Sequence, residues 1–112
     1  MIKRIQPGKR FCEAVVVNGI ITTSGITGNG ADIRSQTKQI LSQIDTLLAE
    51  AATSKAKLIS ASIWLRDIAH FDEMNEVWDG WVDPHNLPVR ATVEARLAAP
   101  ELLVEIQVSA LI

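Results

Sequence analysis

The chain has 112 residues, of which 47% are hydrophobic and 21% charged, a composition typical of one globular domain covering residues 1–112. No apolar run is long enough to cross a bilayer, and the N-terminal residues lack the apolar core of a secretory signal, so we expect a cytoplasmic protein and no membrane association. The net charge of -2, with scattered Lys and Arg residues, provides no broad attraction to phosphate backbones, so nucleic acid is not an expected partner.

The first predicted element is a β-hairpin. Residues 13–18 and 20–24 are rich in β-branched side chains, and Asn18-Gly19 between them readily adopts the positive φ angles of a type I′ turn. The segment 25–31 contains three glycines and is predicted to be a loop. It lacks the Lys-Ser/Thr pair that a phosphate-binding loop needs.

Two amphipathic helices are predicted, with one strand between them. Residues 32–52 carry apolar side chains at three- and four-residue steps, the period of one helical face: Ile33, Ile40, Leu41, Ile44, Leu47, Leu48 and Ala51. Residues 58–64 alternate between apolar and small polar side chains and predict a strand. Phe71, Met74, Trp78 and Trp81 again follow the helical period and predict a second helix, which ends before Pro84.

Two alternating segments at residues 90–97 and 102–111 close the chain and predict a second hairpin. In that hairpin the odd residues from Ala91 to Leu97 and the even residues from Leu102 to Val108 would face the helices together. The opposite face would carry Arg90, Thr92, Glu94 and Arg96 beside Glu105. The order of elements indicates an α+β sheet with both helices on one face.

The polar face of this predicted hairpin has two interpretations. One is a solvent-exposed surface, on which Arg90 would form a surface ion pair with a neighbouring Glu. The other is a surface covered by further subunits, since a chain of this size buries only a modest fraction of its surface alone. On a covered face an Arg is a charged fork suited to a carboxylate, and a nearby Glu can act as general acid or base.

No metal or organic cofactor is indicated by the sequence. His70 and His85 flank the second helix without the spacing of a metal-binding pair, and we expect them to be solvated or to cap the helix. Cys12 is the single cysteine and is expected to be a small hydrophobic residue of a strand. Trp78 and Trp81 are more typical of a core than of a binding platform.

Three segments resemble the reactive intermediate deaminase family, also called RidA, YjgF or endoribonuclease L-PSP-like. PVRATVEARLAAPELLVEIQVSAL is similar to the C-terminal signature of that family, IITTSG to the end of its first hairpin, and FDEMNEVWDGWV to its second helix. The matches occur in the right order and cover nearly the whole chain. The resemblance implies a chorismate-mutase-like α+β fold, in which a mixed six-stranded sheet carries two helices on one face and three chains form a homotrimeric barrel.

The resemblance also implies an activity and a set of site residues. The activity is hydrolytic deamination of reactive 2-imino acids, or their enamines, to 2-keto acids and ammonia, in clefts between subunits and without a cofactor or metal. Arg90 would bind the substrate carboxylate, and Glu105 would position or activate the attacking water. The remaining substrate-binding residues implied by the family are Phe11, Ser24, Gly25, Asn75 and Thr92.

The sequence departs from the family pattern at two of these positions. Phe11 stands where a pocket Tyr is common, and Thr92 stands where a Cys is common, so a phenol and a thiol are both missing. The loop before Arg90 is also shorter. These departures bear on substrate choice more than on reaction class. The alternative function is a non-catalytic protein of the same fold that binds or senses small carboxylates.

Overall fold

A six-stranded mixed sheet backed by two α-helices makes up the computed structural model, which describes residues 1–112. The strands are β1 (Lys3–Pro7), β2 (Cys12–Val17), β3 (Ile20–Thr23), β4 (Leu58–Leu65), β5 (Val89–Glu94) and β6 (Val104–Leu111), and the helices are α1 (Ile33–Glu50) and α2 (Phe71–Trp81). Their order in the sheet is β1-β2-β3-β6-β4-β5, and only β4 and β5 run parallel. The predicted α+β class is therefore confirmed. Neither helix has the length and apolarity needed to cross a bilayer.

The first hairpin forms as predicted. Asn18 and Gly19 have φ angles of 53° and 75°, and Val17 pairs with Ile20 across the turn. Strand β1, which local patterns did not reveal, adds to the outer edge of β2. It has a single buried side chain, Ile5, so its sequence carries little of the alternation that marks a strand.

Helix α1 starts at a capping box. The Asp32 carboxylate accepts a hydrogen bond from the Ser35 N–H at 2.8 Å, and the Ser35 hydroxyl accepts from the Asp32 N–H at 3.3 Å. These bonds satisfy donors that the first turn leaves unpaired. Helix α2 packs against α1, and the Trp81 indole N–H donates to the Asp45 carboxylate at 3.0 Å. Both predicted helices are confirmed, with bounds that differ by one or two residues.

The core lies between the sheet and the helices. On its sheet side, Ala61, Ile63 and Leu65 of β4 pair directly with Val108, Ile106 and Val104 of β6, and all six side chains are buried. Each large aliphatic side chain buried in this way contributes about 1.5–3 kcal/mol relative to an exposed one. The predicted inward set of β6 is thus confirmed at these three positions, whereas Leu102 precedes the strand and is half-buried.

The second hairpin was a wrong prediction. Strands β5 and β6 do not pair, because β4 lies between them, parallel to β5 and antiparallel to β6. Strand β4 is eight residues long and buries four of its side chains, and it pairs on both sides, which leaves the shorter β5 at the edge of the sheet. Alternation of apolar and polar residues specifies the two faces of a strand but not which strands lie beside it. The pattern therefore could not exclude a hairpin of β5 and β6.

The faces of β5 are consequently reversed from the prediction. Aligned residues of paired strands project to the same side of a sheet. Arg90 aligns with Ala61 and Thr92 with Ile63, so both lie on the side of the sheet that the helices cover. Ala91 and Val93 lie on the opposite side, which we call the open face, and both are exposed.

Candidate functional site

The seven predicted site residues lie in and around two separate clefts. The Glu105 cleft has a volume of about 440 Å³ and is lined by Phe11, Ser24, Gly25, Thr27, Ala98, Leu102 and Glu105. The Arg90 cleft has a volume of about 360 Å³ and is lined by Asn75, Trp78, Asp79, Val82, Leu87, Pro88 and Arg90. Thr92 follows Arg90 on the same face of β5.

Backbone pairing brings the carboxylate of the Glu105 cleft to its position. Ile26 and Ile106 exchange two backbone hydrogen bonds of 2.8 and 3.0 Å, which hold the loop after β3 against the start of β6. Gly25 then lies directly under Glu105, and a Cβ atom at position 25 would overlap the Glu105 carboxylate. The absence of a side chain at Gly25 is therefore what lets the carboxylate lie against the backbone.

The Glu105 cleft also contains an unused hydroxyl and an apolar rim. Ser24 Oγ is buried and has no hydrogen-bond partner in the chain, although the Ser24 N–H donates to Glu13 O at 2.8 Å. Buried hydroxyls are normally paired, so this oxygen is available to a ligand or a water molecule. Phe11 is 61% exposed at the rim, beside Ala98 and Leu102. The cleft thus offers a carboxylate, a free hydroxyl and an apolar wall.

The Arg90 cleft holds a half-buried cation in a fixed orientation. Arg90 Nη1 donates to Asn75 Oδ1 at 2.8 Å, and the guanidinium carbon lies 5.3 Å from the Trp78 ring centroid and 5.8 Å from that of Phe71. Burial lowers the pKa of Arg90, while the nearby Asp79 carboxylate opposes that shift. The guanidinium remains charged at neutral pH, since the pKa of an arginine lies far above that pH even when burial lowers it.

No carboxylate of the chain pairs with Arg90. The ion pairs within 4.0 Å are those of Arg34 with Glu73 and Glu76, on the outer surface of the helices. Asp79, in the same cleft, acts on the guanidinium without forming an ion pair, so Arg90 keeps unpaired donors of the kind that bind anions. Interpreting Arg90 as one partner of a surface ion pair was therefore wrong.

Two further polar atoms, one within β5 and one at the start of α2, are unpaired. Thr92 Oγ1 and His70 Nδ1 are both buried without a hydrogen-bond partner. His70 is half-buried and occupies the N-cap position of α2, as one of the two expected roles required, but its side chain makes no capping hydrogen bond. His85, by contrast, is exposed, as expected.

Arg90 and Glu105 do not meet within one chain. Arg90 aligns with Ala61 on the helix side of the sheet, whereas Glu105 aligns with Trp64 on the open face, and β4 separates their strands. The predicted common face for these two residues is therefore wrong. Within one chain the two residues therefore belong to two separate clefts.

Comparison with known proteins identifies the family. The family model described as Endoribonuclease L-PSP matches residues 1–112. A crystal structure of a YjgF family protein from Neisseria meningitidis has a TM-score of 0.97 and 46% identity, and the match covers 99% of this chain and 94% of that one. The chain belongs to the YjgF/Rid family.

Other YjgF/Rid relatives agree over their full lengths. A RutC family protein from Haemophilus ducreyi is 44% identical over 114 residues, covering 100% of this chain and 97% of the relative. A crystal structure of a Rid family protein from Yersinia pestis has a TM-score of 0.94 at 27% identity and covers 100% of both chains. The family resemblance and its six-stranded fold are thus confirmed.

The open face of this YjgF/Rid chain is apolar at several exposed positions. Val89 is 71% exposed, Leu111 51% and Val93 49%, and Ile20 lies beside Leu111 in the pairing of β3 with β6. These exposed apolar side chains are spread over β3, β5 and β6 on one face of the sheet. Cys12, half-buried in β2, is a free thiol, and no group of three or more His, Cys, Asp or Glu side chains is arranged to hold a metal ion.

Proposed function

We propose that this protein hydrolyses 2-imino acids to 2-keto acids and ammonia at sites formed between the chains of a homotrimer. Each site would join the Arg90 cleft of one chain to the Glu105 cleft of its neighbour. The observation that carries the proposal is Arg90: a half-buried guanidinium, held by Asn75 and aromatic rings, with no carboxylate of its own chain within 4.0 Å.

Arg90 would bind the substrate carboxylate. Its Nη1 is engaged by Asn75, which leaves Nε and Nη2 free to donate two parallel hydrogen bonds to one carboxylate. Such a bidentate pair fixes the orientation of the carboxylate as well as its position. The neighbouring carbon of the substrate, the imine carbon, would then be held at a constant distance from the opposite wall of the cleft.

Glu105 would supply the base. Its carboxylate accepts a proton from a water molecule as the water oxygen bonds to the imine carbon, and the proton then passes to the nitrogen. Glu105 would then take the hydroxyl proton of the resulting carbinolamine and deliver it to the nitrogen, so that the C–N bond breaks as the C=O bond forms, and ammonia and a 2-keto acid are released. Ser24 Oγ, buried and unpaired in the same cleft, is a suitable partner for that water or for the developing hydroxyl.

The exposed apolar residues of the open face support the trimer. A stable trimer would cover Val93 and Leu111, which a monomer leaves in water. It would also bring a second chain to the two clefts that are separate within a single chain. Light scattering should accordingly give three times the mass of one chain.

The two departures from the family pattern fit this mechanism. The assigned steps use the guanidinium of Arg90 and the carboxylate of Glu105, and neither needs the phenol replaced by Phe11 or the thiol replaced by Thr92. Phe11 instead adds apolar surface at the rim. We further propose that the protein acts in the cytoplasm, where its free thiol, Cys12, would stay reduced.

The test is the rate of 2-keto acid release from enzymatically generated 2-iminopropanoate, with wild-type and Arg90→Ala proteins compared. Acceleration by the wild type that disappears in a folded Arg90→Ala trimer supports the proposal. Binding of the 2-keto acid through Arg90 without any acceleration would overturn the enzyme and favour the carboxylate-binding alternative. Neither binding nor acceleration would overturn both.

A further inference from the structure

One buried polar side chain of helix α1 links the two loops that form the Glu105 cleft. Gln36 is only 2% exposed, yet it makes three hydrogen bonds to backbone atoms. Its Nε2 donates to Gly30 O at 3.0 Å and to Glu101 O at 2.9 Å, and its Oε1 accepts from the Leu103 N–H at 2.9 Å. Both donors and one acceptor site of the amide are therefore used.

These three bonds join parts of the chain that are far apart in sequence. Gly30 lies in the loop between β3 and α1, whereas Glu101 and Leu103 lie in the loop between β5 and β6. The first loop contributes Ser24, Gly25 and Thr27 to the Glu105 cleft, and the second contributes Ala98 and Leu102. Gln36 thus fixes the distance between two walls of the same cleft.

Other side chains hold one loop each. Gln39 Oε1 accepts from the Asn29 N–H at 3.0 Å, and Gln43 Nε2 donates to Thr27 O at 2.9 Å, so they hold the first loop alone. Arg66 donates to Leu102 O at 2.8 Å and to Ala99 O at 2.6 Å, and holds the second loop alone. Gln36 is the side chain that hydrogen-bonds to both.

We infer that Gln36 is a positioning residue for the reaction, because it holds the Gly25 loop and the residues before Glu105 in one fixed relation. The inference rests on the proposed function and adds to it a residue outside the cleft. Glu105 follows Leu103 by two residues, and Gly25 lies five residues before Gly30, so both ends of the link act on the contact between Gly25 and the carboxylate.

The expected effect is on turnover and not on substrate affinity. Carboxylate binding belongs to the Arg90 cleft, which Gln36 does not contact, so KM should stay near its wild-type value. A small displacement of the Glu105 carboxylate should lower kcat strongly, because a shift of about 1 Å from a distant change can cost about a hundredfold in rate.

The decisive variant is Gln36→Met, which keeps the length of the side chain and removes all three hydrogen bonds. Its matched control is Thr37→Val at the next position. Thr37 is also buried, and this substitution removes one hydrogen bond, to Ile33 O at 2.7 Å, and no hydrogen bond to either loop. Both variants are compared as trimers, at a temperature where circular dichroism shows them fully folded. Gln36→Asn, which keeps the amide but cannot span the same distance, replaces Gln36→Met if the latter does not fold.

We expect kcat of Gln36→Met to fall by about tenfold or more while KM stays within about twofold, with Thr37→Val close to wild type. Hydrogen exchange of the Leu103 amide should become faster in Gln36→Met only. An unchanged kcat despite faster exchange would overturn the inference, and so would an equal loss in Thr37→Val or a parallel rise in KM. Absence of turnover in the wild type would instead refute the proposed function, and the inference with it.

Discussion

An Arg90→Lys substitution would keep a positive charge in the Arg90 cleft and remove the planar fork. A lysine ammonium is a point charge that cannot present two parallel donors to a carboxylate, and it would also compete for Asn75 Oδ1, which now accepts from Nη1 at 2.8 Å. The proposed substrate would therefore lose one of its two charge-assisted hydrogen bonds.

The size of the effect follows from that single lost bond. A hydrogen bond to a charged group contributes about 1.5–3 kcal/mol, and each 1.4 kcal/mol is a factor of ten, so kcat/KM should fall by roughly 10- to 150-fold. The free energy of unfolding should change by no more than about 1 kcal/mol, because Lys can retain much of the contact with Trp78 and no ion pair is broken.

The assay is steady-state hydrolysis of 2-iminopropanoate, together with urea unfolding of the same preparations. Arg96→Lys is the matched control, since Arg96 is exposed beyond the end of β5 and the chemical change is identical. If Arg90→Lys kept kcat/KM within about twofold of wild type, Arg90 would not bind the carboxylate bidentately and the proposed geometry would be wrong.

Three other outcomes are expected. Glu105→Gln should lower kcat by about a hundredfold or more with little change in KM. Glu94→Gln is the control, because the Glu94 carboxylate accepts from the Ile68 N–H outside the proposed site, and its kcat should stay near the wild-type value. Equal losses of kcat in the two variants would show that Glu105 is not the base. Ile44→Ala, at a fully buried position of α1, should cost about 2–5 kcal/mol in urea unfolding, and a cost under about 1 kcal/mol would contradict the described core. The pKa of Asp32 is held below its usual 3.8, mainly by the hydrogen bond from the Ser35 N–H. The ionised Asp32 therefore stabilises the folded state fully above about pH 3.8, and this stabilisation is lost as the pH falls through the lower pKa of the folded state. The urea midpoint should then drop less between about pH 5 and pH 2 in Asp32→Asn than in the wild type, and an equal drop would refute this.

Local signals predicted the helices and the first hairpin well. The turn at Asn18-Gly19 needs only the positive φ angles that those two residues tolerate, and α1 needs only an apolar stripe with a cap at Asp32. Strand β1 was missed because it buries Ile5 alone and its next residue, Gln6, has a φ of 48° that interrupts regular strand geometry.

Sheet order could not be predicted in the same way. The alternation in residues 90–97 and 102–111 is real, but it is equally compatible with a hairpin and with two strands separated by β4. The error then placed Arg90 on the wrong face. Its helix-side position depends on a parallel alignment with Ala61, which comes from a segment about thirty residues earlier in the chain.

The candidate site was predictable as a set of residues and not as an arrangement. The family resemblance indicated Arg90 and Glu105, but only the sheet pairing separates them onto two faces. Gln36 was not indicated at all. Its partners Glu101 and Leu103 lie 65 and 67 residues away, and a polar residue on a helix gives no local sign that such distant backbone atoms will bury it.

The central claim, that Arg90 and Glu105 act across a boundary between chains, has a direct test in mixed trimers. Arg90→Ala and Glu105→Gln proteins are each expected to keep about a hundredth of wild-type activity or less, since every site then lacks one of its groups. When equal amounts are unfolded and refolded together, random assembly places an intact Arg90 beside an intact Glu105 at about a quarter of the interfaces, so about a quarter of wild-type activity should return. No recovery, with both variants nearly inactive alone and mixed trimers confirmed by mass, would show that Arg90 and Glu105 serve the site of the same chain and would contradict the account.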